Sequence, residues 1–366
     1  MPIYVTKPSI PSLEDYVEEI KPIFENQILT NMGPVYKKFQ HQLIDFLEVK
    51  YLSLFVNGHQ ALELAIEAMG LRKPGGEIIT TPFTFISTTH AIVRNGLKPV
   101  FCDIRPDDFT MDPGKIEELI NENTVAILPV HVYGNICDVE KIEEIAKKHN
   151  LKVIYDAAHA FGERYKGIPV GQFGDASMFS FHATKSFNSI EGGAIAFDNA
   201  EYRMPLHELK NFGIHNEEDV ANVGANAKLN EFAAAMGICN LRRFDTAVKA
   251  RKAISDHYDE RFASIEGIIP CRNKKDIEHN YAYYAVYFDK EKFGMDRDEV
   301  NSLLRANEIY PRKYFYPAVN DTSCYKGKYN ETPISTDASL NVLTLPIYET
   351  LGLEDVDRIC DLILRK

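Results

Sequence analysis

The chain has 366 residues, 45% hydrophobic and 26% charged, enough to bury a sizeable core in one large domain with a smaller one attached. Its formal charge of −12 argues against general nucleic-acid binding, because phosphate backbones reward clustered Lys and Arg, but a local basic site for a small phosphorylated ligand stays open. The six cysteines form no CxxC pair, the first residues carry no charged-then-apolar leader, and no apolar run is long enough to cross a bilayer, so the expectation is a protein of a reducing cytosol, without metal, disulfide framework or membrane contact.

In chain order, Leu13–Asn26 has helical spacing of Leu13, Tyr16, Val17, Ile20 and Phe24, with Pro22 a candidate bend. Leu29-Thr30-Asn31-Met32-Gly33-Pro34 is a turn-rich segment before a helix over Val35–Leu47; Thr30 and Asn31 there suit a helix cap. The strand Tyr51–Val56 is followed by Asn57-Gly58-His59-Gln60 and a helix over Ala61–Met69. Strand, glycine turn and helix aim free backbone N–H groups at an anion, and Gly58 and His59 are the candidates. No Gly-Lys-Ser/Thr follows, so this is not a P-loop. A strand over Glu77–Thr81 leads to Pro82-Phe83-Thr84-Phe85. The alternation continues with helix Thr88–Asn95, strand Pro99–Asp103, helix Pro113–Glu122, strand Val125–Val130 and helix Asp138–His149. That pattern predicts an α/β fold with a mostly parallel sheet.

The strand Leu151–Asp156 ends in a carboxylate followed by Ala-Ala-His159. After the Gly174-Asp175 turn comes a strand through Met178, Phe179 and Phe181, then His182-Ala-Thr-Lys185, then Glu191-Gly-Gly193 and the strand Ala194–Phe197. Parallel strands place their C-terminal ends at the ligand crevice of such sheets. A carboxylate at one strand end and a lysine just past a nearby one fit pyridoxal 5'-phosphate (PLP): the amine binds the cofactor's aldehyde and the carboxylate pairs with its pyridine nitrogen. Lys185 on an open loop would instead be an ordinary surface lysine, and His159 is equally compatible with a core histidine.

Beyond Gly193, Tyr202–Phe212 reads as helical, and Gly224-Ala-Asn226-Ala-Lys228-Leu-Asn-Glu231 precedes a long helix, Glu231–Phe262, taken as the link between a large domain, 1–240, and a small C-terminal α/β domain, 241–366. The latter holds a strand over Tyr281–Phe288, a helix over Asp296–Asn307 and a C-terminal helix from Glu354. Within it, Tyr310-Pro-Arg312-Lys313-Tyr314-Phe-Tyr-Pro317 is a basic-aromatic cluster suited to a nucleotide diphosphate, or else a loop packed on the large domain.

Asp156-Ala-Ala-His159, Gly174-Asp175, Ser180-Phe-His-Ala-Thr-Lys185 and Glu191-Gly-Gly193 together resemble the DegT/DnrJ/EryC1/StrS sugar aminotransferases, over essentially the whole chain. The resemblance implies a PLP-dependent transferase of fold type I, a large domain built on a sheet of the seven-stranded type, and a homodimer with composite active sites. It implies that Lys185 holds PLP, Asp156 its pyridine nitrogen, and His159 its ring or phenolic oxygen. Ser180, with Gly58 and His59, would take the phosphate, although relatives carry a small hydroxyl residue at the position of His59. Phe85, with Phe83 the runner-up, would cover the ring face or simply pack in the core. Thr30 would lie near the sugar, and Asn226 would cross to the partner's phosphate site, or cap an ordinary loop; Lys228 replaces the usual arginine. Arg312, Lys313 and Tyr314 would meet the nucleotide. His182 would orient either lysine or sugar. Lys185 argues against the dehydratase relatives, which carry histidine there. The finer details resemble members that aminate dTDP-4-dehydro-6-deoxy-D-glucose with L-glutamate; a 3-keto isomer, a UDP-linked sugar or a non-enzymatic regulator are the alternatives.

Overall fold

The computed structural model describes residues 2–272 and 275–365. Its centre is a seven-stranded sheet in the spatial order 51–55, 193–197, 176–180, 152–156, 124–128, 77–80, 98–101. Neighbouring strands are parallel from Ala176–Ser180 to Lys98–Phe101, and only Gly193–Phe197 runs antiparallel to both its partners. Most of these strands are buried on both faces, as a sheet covered by helices on each side requires. In Lys152–Asp156, Val153 and Tyr155 enter one core with the Pro34–Leu47 and Val139–His149 helices. Ile154 enters the other, with helices Gly58–Ala68 and Ser87–Arg94.

Local chemistry sets the element ends. Ser12 caps the first helix by accepting from Asp15 N–H, and that helix runs through Pro22 to Asn26. The helix Pro34–Leu47 is capped from a distance: the Glu231 carboxylate accepts from Val35 N–H at 2.8 Å and Tyr36 N–H at 3.1 Å. Thr30 and Asn31 therefore do not cap it; both are exposed, and Gly33 occupies the cap position. The helix expected over Pro113–Glu122 is instead two short 3-10 turns, Pro113–Lys115 and Glu117–Leu119. Asp112 captures Gly114 N–H, while Asn121 and Thr124 side chains capture Asn123 and Asn121 N–H, diverting backbone donors from a helical ladder.

The helix Glu231–Phe262 continues from the first core into a second body of structure. There Ile268–Pro270, Tyr284–Phe288 and Val342–Leu345 form an antiparallel sheet packed on helices Arg297–Ala306 and Leu353–Leu364. The expected strand from Tyr281 starts only at Tyr284, because Tyr281 takes a left-handed backbone with φ 53°. Ile3–Tyr4 pairs with Ile309–Tyr310, so the first residues are stitched to the C-terminal portion of the chain. No helix among the described residues is long and apolar enough to cross a membrane.

Candidate active site

The C-terminal ends of the parallel strands bring the candidate groups together. Asp156 closes the strand Lys152–Asp156 and is held through both oxygens: Oδ2 accepts the Thr88 hydroxyl at 2.8 Å and Oδ1 the Ala158 N–H at 3.1 Å. Burial raises its pKa, and the two hydrogen bonds and the nearby Lys185 amine oppose that rise. Lys185 sits in the loop between strands Ala176–Ser180 and Gly193–Phe197, its N–H bonded to His182 O at 2.9 Å. By area the residue is half-buried, yet its amine lies deep enough for burial to lower the amine pKa, with Asp156 pulling the other way. A lysine poised to lose its proton is the form a nucleophile needs.

His159 is buried, and its Nδ1 accepts Tyr133 N–H at 3.1 Å, which leaves the proton of the neutral ring on Nε2. Burial and then Lys185 hold its pKa well below the ordinary value, so the ring is neutral. It stacks on Phe315 at 5.7 Å and meets the edge of Tyr283 at 4.7 Å.

The glycine turn is itself the first residue of the helix Gly58–Ala68, with Asn57 as cap accepting from Gln60 N–H at 2.8 Å. A Cβ on Gly58 would lie 3.0 Å from Ser180 Cβ, so this helix start and Ser180 share one small space. A Cβ on Gly193 would lie 2.6 Å from the Asn57 carbonyl carbon and from Gly58 N. The His59 ring turns to Ser87 Oγ at 2.9 Å, with Nε2 3.6 Å from Glu63, so its backbone rather than its side chain suits an anion. An amine, a carboxylate, a neutral imidazole N–H and a helix start beside a serine are the complement of an aldehyde, a pyridine nitrogen, a phenolic oxygen and a phosphate. The residues present fit PLP.

Phe85 is 56% exposed and lines a 410 Å³ cleft with Thr84, Arg312, Lys313 and Tyr314, whereas Phe83 is fully buried among Phe109, Tyr133 and Phe315. Tyr314 ties that cleft to the lysine: Lys185 is among the charges that perturb its phenol, and its carbonyl accepts the Tyr133 hydroxyl. Lys313 pairs with Asp298 at 2.7 Å, and Arg312 lies 5.2 Å from the Tyr314 ring. His182 is exposed, bonded to Thr184 Oγ1 at 2.8 Å and 3.4 Å from Glu191. Asn226 is exposed and accepts from Lys228 Nζ at 3.1 Å. A larger cleft of 920 Å³ lies between helix Pro34–Leu47, strand Tyr51–Phe55 and helix Arg203–Leu209; Asn31 lines it, and none of Asp156, His159, Ser180 or Lys185 does.

Sequence reasoning missed Thr88, read only as a helix start, and Tyr283, read only as strand alternation. Both reach the centre by tertiary contact, and neither has a local signature.

A model of the DegT/DnrJ/EryC1/StrS aminotransferase family matches residues 12–364. A dTDP-4-amino-4,6-dideoxy-D-glucose transaminase of Shigella dysenteriae is 40% identical over 99% of this chain and 98% of its own. DesI, crystallised in the presence of its TDP-sugar product, superposes with a TM-score of 0.95 at 32% identity, covering 100% of this chain and 92% of that one. The PLP-form of Spr1654 from Streptococcus pneumoniae superposes with a TM-score of 0.91 at 26% identity, over 100% and 98% of the two chains.

Proposed function

The chain belongs to the DegT/DnrJ/EryC1/StrS aminotransferase family and is a PLP-dependent aminotransferase, and from that premise we propose that it moves the amino group of L-glutamate to C4 of dTDP-4-dehydro-6-deoxy-D-glucose. The similarity to the Shigella transaminase along nearly its full length supports this acceptor. The basic-aromatic cleft of Arg312, Lys313 and Tyr314 beside Phe85 supports a nucleotide diphosphate at this position.

The single observation that carries the mechanism is the placement of buried Asp156 at the end of one strand and of Lys185 just past the end of its parallel neighbour, Ala176–Ser180, each within reach of the other's charge. Burial lowers the Lys185 amine pKa, with Asp156 opposing it, and Nζ is the group that would hold the cofactor covalently, then take a proton from the amino donor's α-carbon and give it up again. Asp156, whose charged form the Thr88 and Ala158 hydrogen bonds favour against burial, would pair with the pyridine nitrogen and hold its proton. His159, its Nδ1 taken by Tyr133 N–H, would offer Nε2–H to the phenolic oxygen. The N–H groups of Gly58 and His59 and the Ser180 hydroxyl would hold the phosphate, and Phe85 would cover the ring. Bound PLP supplies the electron sink for the carbanion.

Residues 1–240 act as the cofactor-binding domain and 241–366 as the smaller one, except that Ile3 is packed with the latter. Two chains act together, with Asn226 completing the partner's phosphate site. Phe212, Val220 and Val223, the last 94% exposed, lie in the same segment of chain as Asn226 and suit a covered surface. The enzyme works in the cytosol. The deciding assay is purified protein with L-glutamate and a panel of dTDP- and UDP-linked 4-keto and 3-keto sugars, the amine position read by NMR. Turnover of only a 3-keto or UDP-linked member would replace the proposed acceptor.

A further inference from the structure

We infer that Tyr283 is a further catalytic residue, whose phenolic oxygen holds the Lys185 amine and steadies the charge that the amine acquires when it carries the transferred proton. This rests on Lys185 being the reacting amine, as proposed above.

Lys185 Nζ donates to the Tyr283 hydroxyl oxygen at 3.4 Å and lies 5.9 Å from the ring centroid, at the hydroxyl end of the ring rather than over its face. Three aromatic neighbours fix that ring: His159 at 4.7 Å, Tyr133 at 5.8 Å and Tyr314 at 6.0 Å between centroids. The backbone leading to it is mounted on the His159 loop. Asn280, buried, donates its side-chain amide to His159 O at 2.9 Å and Phe161 O at 3.0 Å. Its N–H goes to Glu163 Oε1 at 3.1 Å, and its Oδ1 accepts Ala282 N–H at 2.8 Å. Tyr281, between the mount and Tyr283, holds a left-handed φ of 53°, a conformation that costs an L-residue energy and that the surrounding bonds must enforce. The turn delivers Tyr283 to the amine, where a straight strand would carry its side chain elsewhere.

Burial keeps the Tyr283 phenol protonated; Arg251 draws its pKa down and Asp156 raises it. Arg251 is itself buried, with Nη1 donating to Ile347 O at 3.1 Å and with Nε and Nη2 unpartnered. The proton inventory is closed. One proton moves from the donor's α-carbon to Lys185 Nζ and later leaves Nζ for carbon. Tyr283 keeps its own proton throughout and only accepts an N–H from the transient ammonium. His159 cannot serve this way, because its Nδ1 is taken by Tyr133 N–H.

Tyr283→Phe keeps the ring packing and removes only the oxygen. In cofactor-free protein, the pH midpoint for amine labelling of Lys185, followed by peptide mass spectrometry, should fall by about one unit, because the ammonium loses an acceptor. In the holoenzyme, the half-reaction with L-glutamate should slow by roughly 10-fold to 100-fold with unchanged half-saturation, and the isotope effect with α-deuterated glutamate should rise. Tyr283→Met, which lacks ring and hydroxyl, should reproduce the labelling shift. Unchanged midpoint and isotope effect in Tyr283→Phe would overturn the inference. Borohydride reduction of wild-type holoenzyme separates the premise: a label on another peptide overturns Lys185, whereas a label on Lys185 with an indifferent Tyr283→Phe overturns Tyr283 alone.

Discussion

Thr88 Oγ1 donates to Asp156 Oδ2 at 2.8 Å across 68 residues of sequence, and is the side-chain donor to that carboxylate. Thr88→Val keeps the shape and removes the bond, so the Asp156 pKa, already raised by burial, should rise further. We expect kcat to fall about tenfold, one pKa unit's worth, with PLP still bound. Asp156→Asn should cost at least about a hundredfold. Steady-state kinetics with cofactor content read by absorbance checks both. Equal rates for Thr88→Val and wild type would mean the bond does not set the carboxylate's charge.

Gly193 and His59 separate backbone from side chain in the phosphate cradle. A Cβ at Gly193 would press 2.6 Å from Asn57 and Gly58 backbone atoms, which cannot swing aside. Gly193→Ala should cost about 1–3 kcal/mol of stability and weaken PLP binding. His59→Ala should leave the PLP dissociation constant within a few-fold, roughly the reach of a surface contact, because its ring faces Ser87 and Glu63. Thermal melts and cofactor titration give the ranking, and the reverse order would place the His59 ring on the ligand.

Asn226 is tested by complementation. If it serves the partner's site, mixing Lys185→Ala with Asn226→Ala chains creates heterodimers in which one site carries both lesions and the other neither. Activity should recover from two impaired parents, towards about a quarter of wild type for random exchange at one competent site in each heterodimer. Verified exchange without recovery would confine Asn226 to its own chain or to a structural role.

Lys210 gives a pH prediction. Its amine is fully enclosed, bonded to Tyr36 Oη and Ser53 Oγ at 2.9 Å and to Leu54 O at 3.2 Å. Burial, then Lys228, pushes its pKa down to about 7 from 10.5. Below about 7 both folded and unfolded chains carry the proton; between about 7 and 10.5 only the unfolded chain does. The unfolded state then binds more protons, so this group makes stability rise with pH across that window and level off above it. Lys210→Met should flatten the slope of the urea midpoint against pH there. A slope equal to wild type would show that the lysine is not buried in this way.

The sequence by itself determined the strand–helix alternation, the parallel sheet and the placement of Asp156 and Lys185 at strand ends. These follow from local periodicity and from the rule that a parallel sheet opens its crevice at strand C-termini. Gly58 was legible for the same reason, as the break between a strand and a helix. Only the tertiary structure decided which groups surround them. Glu231, not Thr30 or Asn31, caps the helix at Pro34; Asn121 and Thr124 dissolve the expected helix at Pro113–Glu122; and the left-handed turn at Tyr281 brings Tyr283 to Lys185. Hydrogen bonds between residues 68, 98 or 196 positions apart leave no local pattern, because their partners become neighbours only when the layers pack. Chemistry was therefore readable where one residue and its strand end suffice, and unreadable where the chain had to close on itself to supply the second group.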